Sequence, residues 1–279
     1  MNPERSTAYF DAHNHWQDPG FDRDRVEIIA SLKPLNIKCM VVNGTTETDW
    51  SQVQALAASD PSIIPSFGIH PWFAATRTSG WARSLERIVA STRSAIGEAG
   101  LDRYIPNYDI EDQKIVFEHH LRLAVELNRP ITIHCLYATD DLLEVFERVP
   151  VPACGFLIHA YSCGSKWIEH FTQLGAYYSF SGYFLNQGKE ERMEAFRAIP
   201  DERLLVETDA PSMLLPPEME RFSLGTKERL NHPGYLTVAY QALAALRGIS
   251  EDGLRHKVEK NFLRLFGSVM LNRSPRSQV

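Results

Sequence analysis

A chain of 279 residues that is 44% hydrophobic and 23% charged has the apolar content for a sizeable core, which excludes wholesale disorder. Its 35 acidic against 29 basic side chains leave a formal charge of −6, the wrong sign for coating duplex DNA, so any nucleic-acid contact is confined to a small site. No apolar run approaches the roughly 18–20 residues of a membrane span, the polar opening segment lacks a signal-peptide core, and four cysteines without a CxxC pair read as reduced thiols, so a cytoplasmic protein is expected.

Along the chain the apolar period switches between short β-branched runs and longer amphipathic stretches. A strand is expected at 8–13 and a helix at 22–33, then a strand at 37–43 and a helix at 50–59. The pattern repeats with a strand at 63–68, a helix at 80–92, a strand at 94–98 and a helix at 110–127. Strands at 131–134, 155–159, 176–179 and 204–207 alternate with helices at 139–148, 165–174 and 189–199, and helices at 236–247 and 251–266 close the chain. Strands alternating with helices make a parallel sheet, because a parallel neighbour is reached only through a crossover. Eight such units, about 35 residues each, predict a single TIM-type (β/α)8 barrel over residues 1–279. An open doubly wound sheet would announce itself by a glycine-rich turn after the first strand. The run there is DAHNHWQDPG, which contains neither GxGxxG nor GxxxxGKS.

In such a barrel the reactive groups sit at the C-terminal ends of the strands. Four of the ten histidines, His13, His70, His134 and His159, fall at or beside the predicted strand ends, and His15 lies two residues beyond the first. Glu98 ends the fourth strand and Asp209 follows the eighth. His13 and His15 share a side of an extended chain, so both imidazoles can reach one cation. His134 and His159 come from neighbouring strands and can share a second, with Glu98 bridging and Asp209 completing the set. Four imidazoles and two carboxylates suit Zn²⁺, Mn²⁺ or Fe²⁺ by ligand softness; Mg²⁺, which takes fewer nitrogens, stays open. Taken singly, each of these residues has an ordinary structural reading. Together, six ionisable groups on one rim without a cation would be costly to bury. His119, His120, His170 and His256 fall in helical segments and read as surface or packing residues, and His232 is left undecided.

The same residues carry a family likeness. Asp11-Ala12-His13-Asn14-His15, Gly68-Ile69-His70-Pro71, Ile96 to Asp102, Pro130 to Cys135, Leu157 to Ser162, Tyr178 to Gly182 and Pro200 to Pro211 resemble, in order, the motifs of the TatD-type metal-dependent hydrolases, the TatD deoxyribonucleases. The resemblance implies a dinuclear site with two divalent ions: His13, His15 and Asp209 on one, His134 and His159 on the other, Glu98 bridging. It implies that His70 contacts the substrate phosphate and that the activity is metal-dependent hydrolysis of a phosphodiester at a DNA end. A monomer is favoured.

The chain also departs from that pattern. Family members commonly carry an arginine shortly after the fifth-strand histidine, where this chain has Leu136 and Tyr137. Cys163 widens the turn after the sixth strand, and Asn231-His232-Pro233 stands where an acidic residue commonly precedes the proline. Arg103 is a candidate phosphate contact in place of the missing arginine. Arg221, Lys227 and Arg229 in the long loop, and the rings of Trp16, Trp72 and Phe73, are candidates to place a substrate. Asp11 and Glu207 are cast as groups orienting the ligands. The expected chemistry is attack by a water acidified by the metals, with Asp209 taking its proton and Glu98 holding both cations. The −6 charge and the absent arginine favour a rival reading, amide, ester or lactone hydrolysis of a small molecule. A non-catalytic metal-binding barrel is a third.

Overall fold

The structure, a computed structural model, describes residues 8–222, 224 and 229–270. Its strands are β1 (Tyr9–Asn14), β2 (Ile37–Asn43), β3 (Ile63–Phe67), β4 (Ala95–Asp102), β5 (Ile131–Leu136), β6 (Phe156–Ile158), β7 (Ala176–Ser181) and β8 (Leu204–Glu207). They pair in parallel, in chain order from β1 to β8. Around them lie α1 (Arg25–Leu32), α2 (Trp50–Ser59), α3 (Trp81–Ser91), α4 (Ile110–Leu127), α5 (Thr139–Arg148), α6 (Ile168–Gln173) and α7 (Glu190–Ala198). After β8 come α8 (Leu236–Arg247) and α9 (Glu251–Phe266). The fold is the (β/α)8 barrel that the alternation predicts. No described helix is long and apolar enough to cross a membrane.

The strands are covered on both faces, which is why they read as near-continuous apolar runs; Ile131, Thr132 and Ile133 of β5 are all fully buried. The helices present one stripe to them. In α3, Trp81, Leu85 and Val89 follow one another at four-residue spacing and are buried. Asp109 caps α4 by accepting the Asp112 N–H at 3.0 Å, and Asn128 ends it in the left-handed region at φ 45°.

β1 and β8 meet at their C-terminal ends. The Asp209 N–H donates to the His13 carbonyl at 3.0 Å, and the His15 N–H to the Ala210 carbonyl at 2.8 Å. The buried Asp11 carboxylate ties the same seam, accepting the backbone N–H of Thr208 at 3.0 Å and its hydroxyl at 2.6 Å. Three of the predicted ligands are therefore fixed by the closure of the barrel itself.

Several strands run further than their apolar pattern. β4 continues to Asp102 instead of ending at Glu98, and β5 to Leu136 instead of His134. The reason in β4 is a break of register between Ile96 and Ala99, followed by renewed pairing with β5. Gly97 and Gly100, which in the sequence punctuate a strand end, serve a close approach. A Cβ at Gly97 would stand 2.5 Å from the Thr132 carbonyl oxygen, and one at Gly100 2.0 Å from that of His134. The helix expected at 165–174 divides into a 3-10 turn (Ser165–Trp167) and α6.

Candidate metal centre

The six side chains His13, His15, Glu98, His134, His159 and Asp209 converge at the C-terminal mouth of the barrel, where all but the fully buried His13 line a cleft of about 720 Å³. The first donor group is built on β1, β4 and the end of β8. His13 Nε2 lies 3.2 Å from His15 Nε2, 3.2 Å from Glu98 Oε2 and 3.3 Å from Asp209 Oδ1. His15 Nε2 lies 3.3 Å from the same Glu98 oxygen and 3.2 Å from the same Asp209 oxygen. Two imidazole nitrogens and two carboxylate oxygens gathered in this way are a donor set that would hold a divalent ion such as zinc.

Tautomers make the case stronger than distance alone. His15 Nδ1 lies 2.8 Å from the Asn43 carbonyl oxygen, which can only accept, so Nδ1 carries the proton and a neutral ring turns a bare Nε2 inward. That lone pair faces two carboxylate oxygens. Glu98 Oε2 and Asp209 Oδ1 are both buried without a hydrogen-bond partner among the described residues. Lone pairs converging in a buried space demand a proton or a cation.

The second group repeats the logic. His134 Nδ1 and His159 Nε2 each lie 2.9 Å from Glu98 Oε1 and 3.2 Å from one another. His134 Nε2 lies 2.9 Å from Asp102 Oδ2, a buried carboxylate that also accepts the Trp72 indole N–H at 2.7 Å and, on Oδ1, the Tyr104 backbone N–H at 2.6 Å. Asp102 therefore holds the proton of His134 on the outward nitrogen and leaves Nδ1 bare. His159 Nδ1 faces Glu207 Oε1 at 3.4 Å, an ion-pair distance without a hydrogen bond. The two oxygens of Glu98 thus face one donor group each.

His70 is the exception that the geometry separates out. Its Nε2 is 3.2 Å from Glu98 Oε1 and 3.3 Å from His134 Nδ1, close enough to be a further ligand by distance. Its Nδ1, however, accepts the Trp72 backbone N–H at 3.1 Å, so a neutral ring carries its proton on Nε2. Burial first, and then the neighbouring His134, bring its pKa down to about 4 against the pull of Glu98. His70 faces the cleft as a neutral hydrogen-bond donor, whereas neutral His15 and His134 rings turn a bare nitrogen toward Glu98.

Burial opposes charge on each of these groups. The surrounding imidazoles nevertheless hold the Glu98 and Asp209 carboxyls well below the usual carboxylate range. Reciprocally, Asp209, Glu98, Asp102 and Glu207 hold His15, His134 and His159 above the ordinary imidazole value despite desolvation. The site is built for positive charge.

Of the remaining sequence candidates, some reach this centre and others do not. Trp72 and Phe73, 55% and 37% exposed, line the cleft. Trp16 does not offer a stacking face: it is 4% exposed, packed on Phe21 at 5.0 Å between centroids and covered by the Arg25 guanidinium at 4.8 Å. Arg103 does not reach the cleft either. Asp141 grips it through Nε at 2.6 Å and Nη2 at 2.8 Å, beside a separate cavity with Lys166 and Glu144. Arg229 is held by Glu220 at 2.6 Å and the Leu215 carbonyl at 2.7 Å; Arg221 is exposed, and Lys227 lies outside the described residues. Asp11 orients backbone and Asn14, not a ligand ring. His232 caps a 3-10 turn through the Gly234 N–H at 2.9 Å. His120 is buried and accepts the Ile69 N–H at 3.0 Å while its Nδ1 donates to the Val116 carbonyl at 2.8 Å, so it holds the turn that delivers His70. Sequence reasoning assigned no role to Asp102 or Asn43. An acid four residues past Glu98 becomes a candidate only once the bulge in β4 is known.

The model of the TatD-related DNase family matches residues 10–267, nearly the whole chain. The chain belongs to the TatD family. It is 27% identical over 261 residues to the metal-dependent hydrolase YcfH of Escherichia coli K12, covering 92% of this chain and 94% of that one. It is 31% identical over 249 residues to the 3′-5′ ssDNA/RNA exonuclease TatD of Erwinia billingiae, covering 88% and 94%. The crystal structure of YJJV, a TatD homologue from Escherichia coli K12, superposes with a TM-score of 0.84 at 23% identity over 93% of this chain and 98% of that one. As a member of the TatD family the chain is a metal-dependent hydrolase, and groups able to hold metal lie together at its barrel mouth.

Proposed function

We propose that the chain is a dinuclear phosphodiesterase that removes nucleotides from a single-stranded DNA end. The observation that carries this reading is the convergence of His15 and His134, whose outward nitrogens face the Asn43 carbonyl and the Asp102 carboxylate and so leave bare nitrogens inward, on Glu98, with Glu98 Oε2 and Asp209 Oδ1 lacking any other partner among the described residues. His13, His15 and Asp209 would hold one divalent ion, His134 and His159 the other, and Glu98 one through each oxygen; the histidine-rich set favours Zn²⁺ or Mn²⁺ over Mg²⁺. When bound, such a pair supplies Lewis-acid charge that acidifies water and neutralises phosphoryl oxygens. Asp209, at the seam and open to the cleft, is the base that takes the proton of the attacking water and returns it to the leaving oxygen. His70 donates its Nε2–H to a phosphate oxygen, a contact that its Trp72 hydrogen bond prearranges. Trp72 and Phe73 offer stacking faces for the terminal base. The name carried by the Erwinia relative supports this substrate and a 3′ to 5′ direction.

One observation favours the rival, hydrolysis of a neutral ester or lactone: the β5 wall of the cleft carries Leu136 where an arginine would meet phosphate. Metal-loaded protein assayed against a 5′-labelled single strand and an aryl ester separates the two. Metal-dependent shortening of the strand, lost about 10²–10⁴-fold in Asp209→Ala with the fold retained, is expected. Ester turnover with the strand intact would reject the nuclease reading.

A further inference from the structure

Besides its histidines the described lining of the cleft carries one basic side chain, and it is not one that the sequence motifs mark. Among the described residues lining it, Arg192 is the sole arginine or lysine. It stands in the first turn of α7, which follows β7, across the eight-stranded barrel from the β3 end that carries Trp72 and Phe73. It is partly buried, and its guanidinium has no ion pair or hydrogen bond to any other described residue. Its neighbours are otherwise engaged. Lys189 sits on the Tyr183 ring at 5.0 Å, and Arg197 pairs with Glu194 at 2.8 Å and binds the Leu246 carbonyl.

The carboxylates of the cleft offer Arg192 nothing. Asp18 accepts the Gly20 N–H at 2.7 Å, Asp49 accepts the backbone and hydroxyl of Thr45 at 2.9 Å each, and Glu98 and Asp209 belong to the donor groups. A guanidinium cannot shed its charge, so one that lines the cleft without a protein counter-ion is available to an anion that a ligand brings. We propose that Arg192 is the phosphate-binding residue of this site: its fork takes the non-bridging oxygens of the substrate phosphate from the β7 side, in place of the arginine missing after His134. The inference rests on the phosphodiester reading and names what makes that substrate recognisable: two phosphoryl oxygens presented to a planar pair of N–H donors. It also accounts for an acidic protein that handles a polyanion, since one unpaired cation inside the cleft is enough for one phosphate at a chain end.

The test uses the metal-loaded protein, Arg192→Gln and Arg192→Lys, with Arg103→Ala as a control outside the cleft. Calorimetric titration with inorganic phosphate reads binding without turnover, and KM and kcat are measured on a single-stranded oligothymidylate. In Arg192→Gln, phosphate affinity is expected to fall and KM to rise about 10- to 100-fold, with kcat changed less than fivefold; these are the sizes set by hydrogen bonds to a charged group. Arg192→Lys restores part of the loss, because charge returns without the fork. Phosphate affinity in Arg192→Gln or Arg103→Ala tells the two arginines apart: a loss confined to Arg192→Gln supports the proposal, and equal losses in both overturn it. Phosphate binding within twofold of the parent in Arg192→Gln, or no phosphate binding by the parent, also overturns it. If the parent binds phosphate through Arg192 yet leaves the oligonucleotide intact, the nuclease reading fails while the anion site stands.

Discussion

Replacing Asp102 by asparagine tests whether the tautomer of His134 matters. The carboxylate accepts three hydrogen bonds: from His134 Nε2 at 2.9 Å and Trp72 Nε1 at 2.7 Å on one oxygen, and from the Tyr104 N–H at 2.6 Å on the other. An amide has one accepting atom. Placing its nitrogen toward His134 and Trp72 would set donor against two donors, so the cheaper rotamer turns the nitrogen to Tyr104 and orphans one backbone N–H. Leaving a buried donor unpaired costs about 1–3 kcal/mol, and that is the expected loss of folding stability. The His134 hydrogen bond survives but loses its charge, which makes Nδ1 a poorer donor to a cation. Partners of this kind typically carry about 10- to 100-fold in metal affinity. Competition with a chromophoric chelator reads the affinity, and urea unfolding of the metal-free protein reads the stability. A stability loss of the expected size with metal affinity within twofold of the parent would refute the idea that Asp102 tunes the ligand; the residue would then be a brace for Trp72 and Tyr104 only.

Two further outcomes follow from the same contacts. Stripping metal with a chelator should lower the melting temperature by on the order of 10 °C, because a ligand at about a thousand times its Kd adds roughly 4 kcal/mol and each kcal/mol moves a domain of this size by about 2–4 °C; an unchanged melting curve would count against resident metal. His120 is buried with its pKa pushed from 6.5 down to about 3 by desolvation, so between those values the unfolded chain binds the proton that the folded chain refuses. Stability from the neutral ring is complete above pH 6.5 and declines as pH falls; at pH 5 the loss is about 2 kcal/mol, and His120→Gln should lose about that much less between pH 7 and pH 5 in urea unfolding.

The barrel was legible because its signals are local. A strand buried on both faces is an apolar run, a crossover helix is a stripe, and eight alternations leave one closed solution. What escaped was where strands stop. In β4 the apolar pattern breaks at Gly97 and Gly100, and the sequence reads a terminus; the structure shows a bulge forced by the approach of β5, after which pairing resumes to Asp102. No single-sequence rule distinguishes a glycine that ends a strand from one that lets two backbones pass. Trp16 and Arg103 were candidates for proximity to motifs along the chain, and both are claimed by neighbours that only folding brings near, Phe21 and Arg25 for the one and Asp141 for the other.

The histidines show how far residue type alone can carry an assignment. His15, His70 and His134 look alike in sequence, each beside a strand end, and all three rings crowd Glu98. What separates them is the group on the far side of each ring. A backbone carbonyl behind His15 and a carboxylate behind His134 accept, and so turn lone pairs inward; a backbone N–H behind His70 donates, and so turns a proton inward. The first two suit a cation and the third suits an oxyanion, so the hydrogen bonds behind one rim of similar residues support the proposed division into metal ligands and a substrate donor. Asn43 contributes through its carbonyl and Trp72 through its N–H, groups that every such residue carries, and this is why no motif could have announced them. Arg192 completes the division from the other wall, adding positive charge where the ring of His70, neutral at its depressed pKa, adds only a dipole.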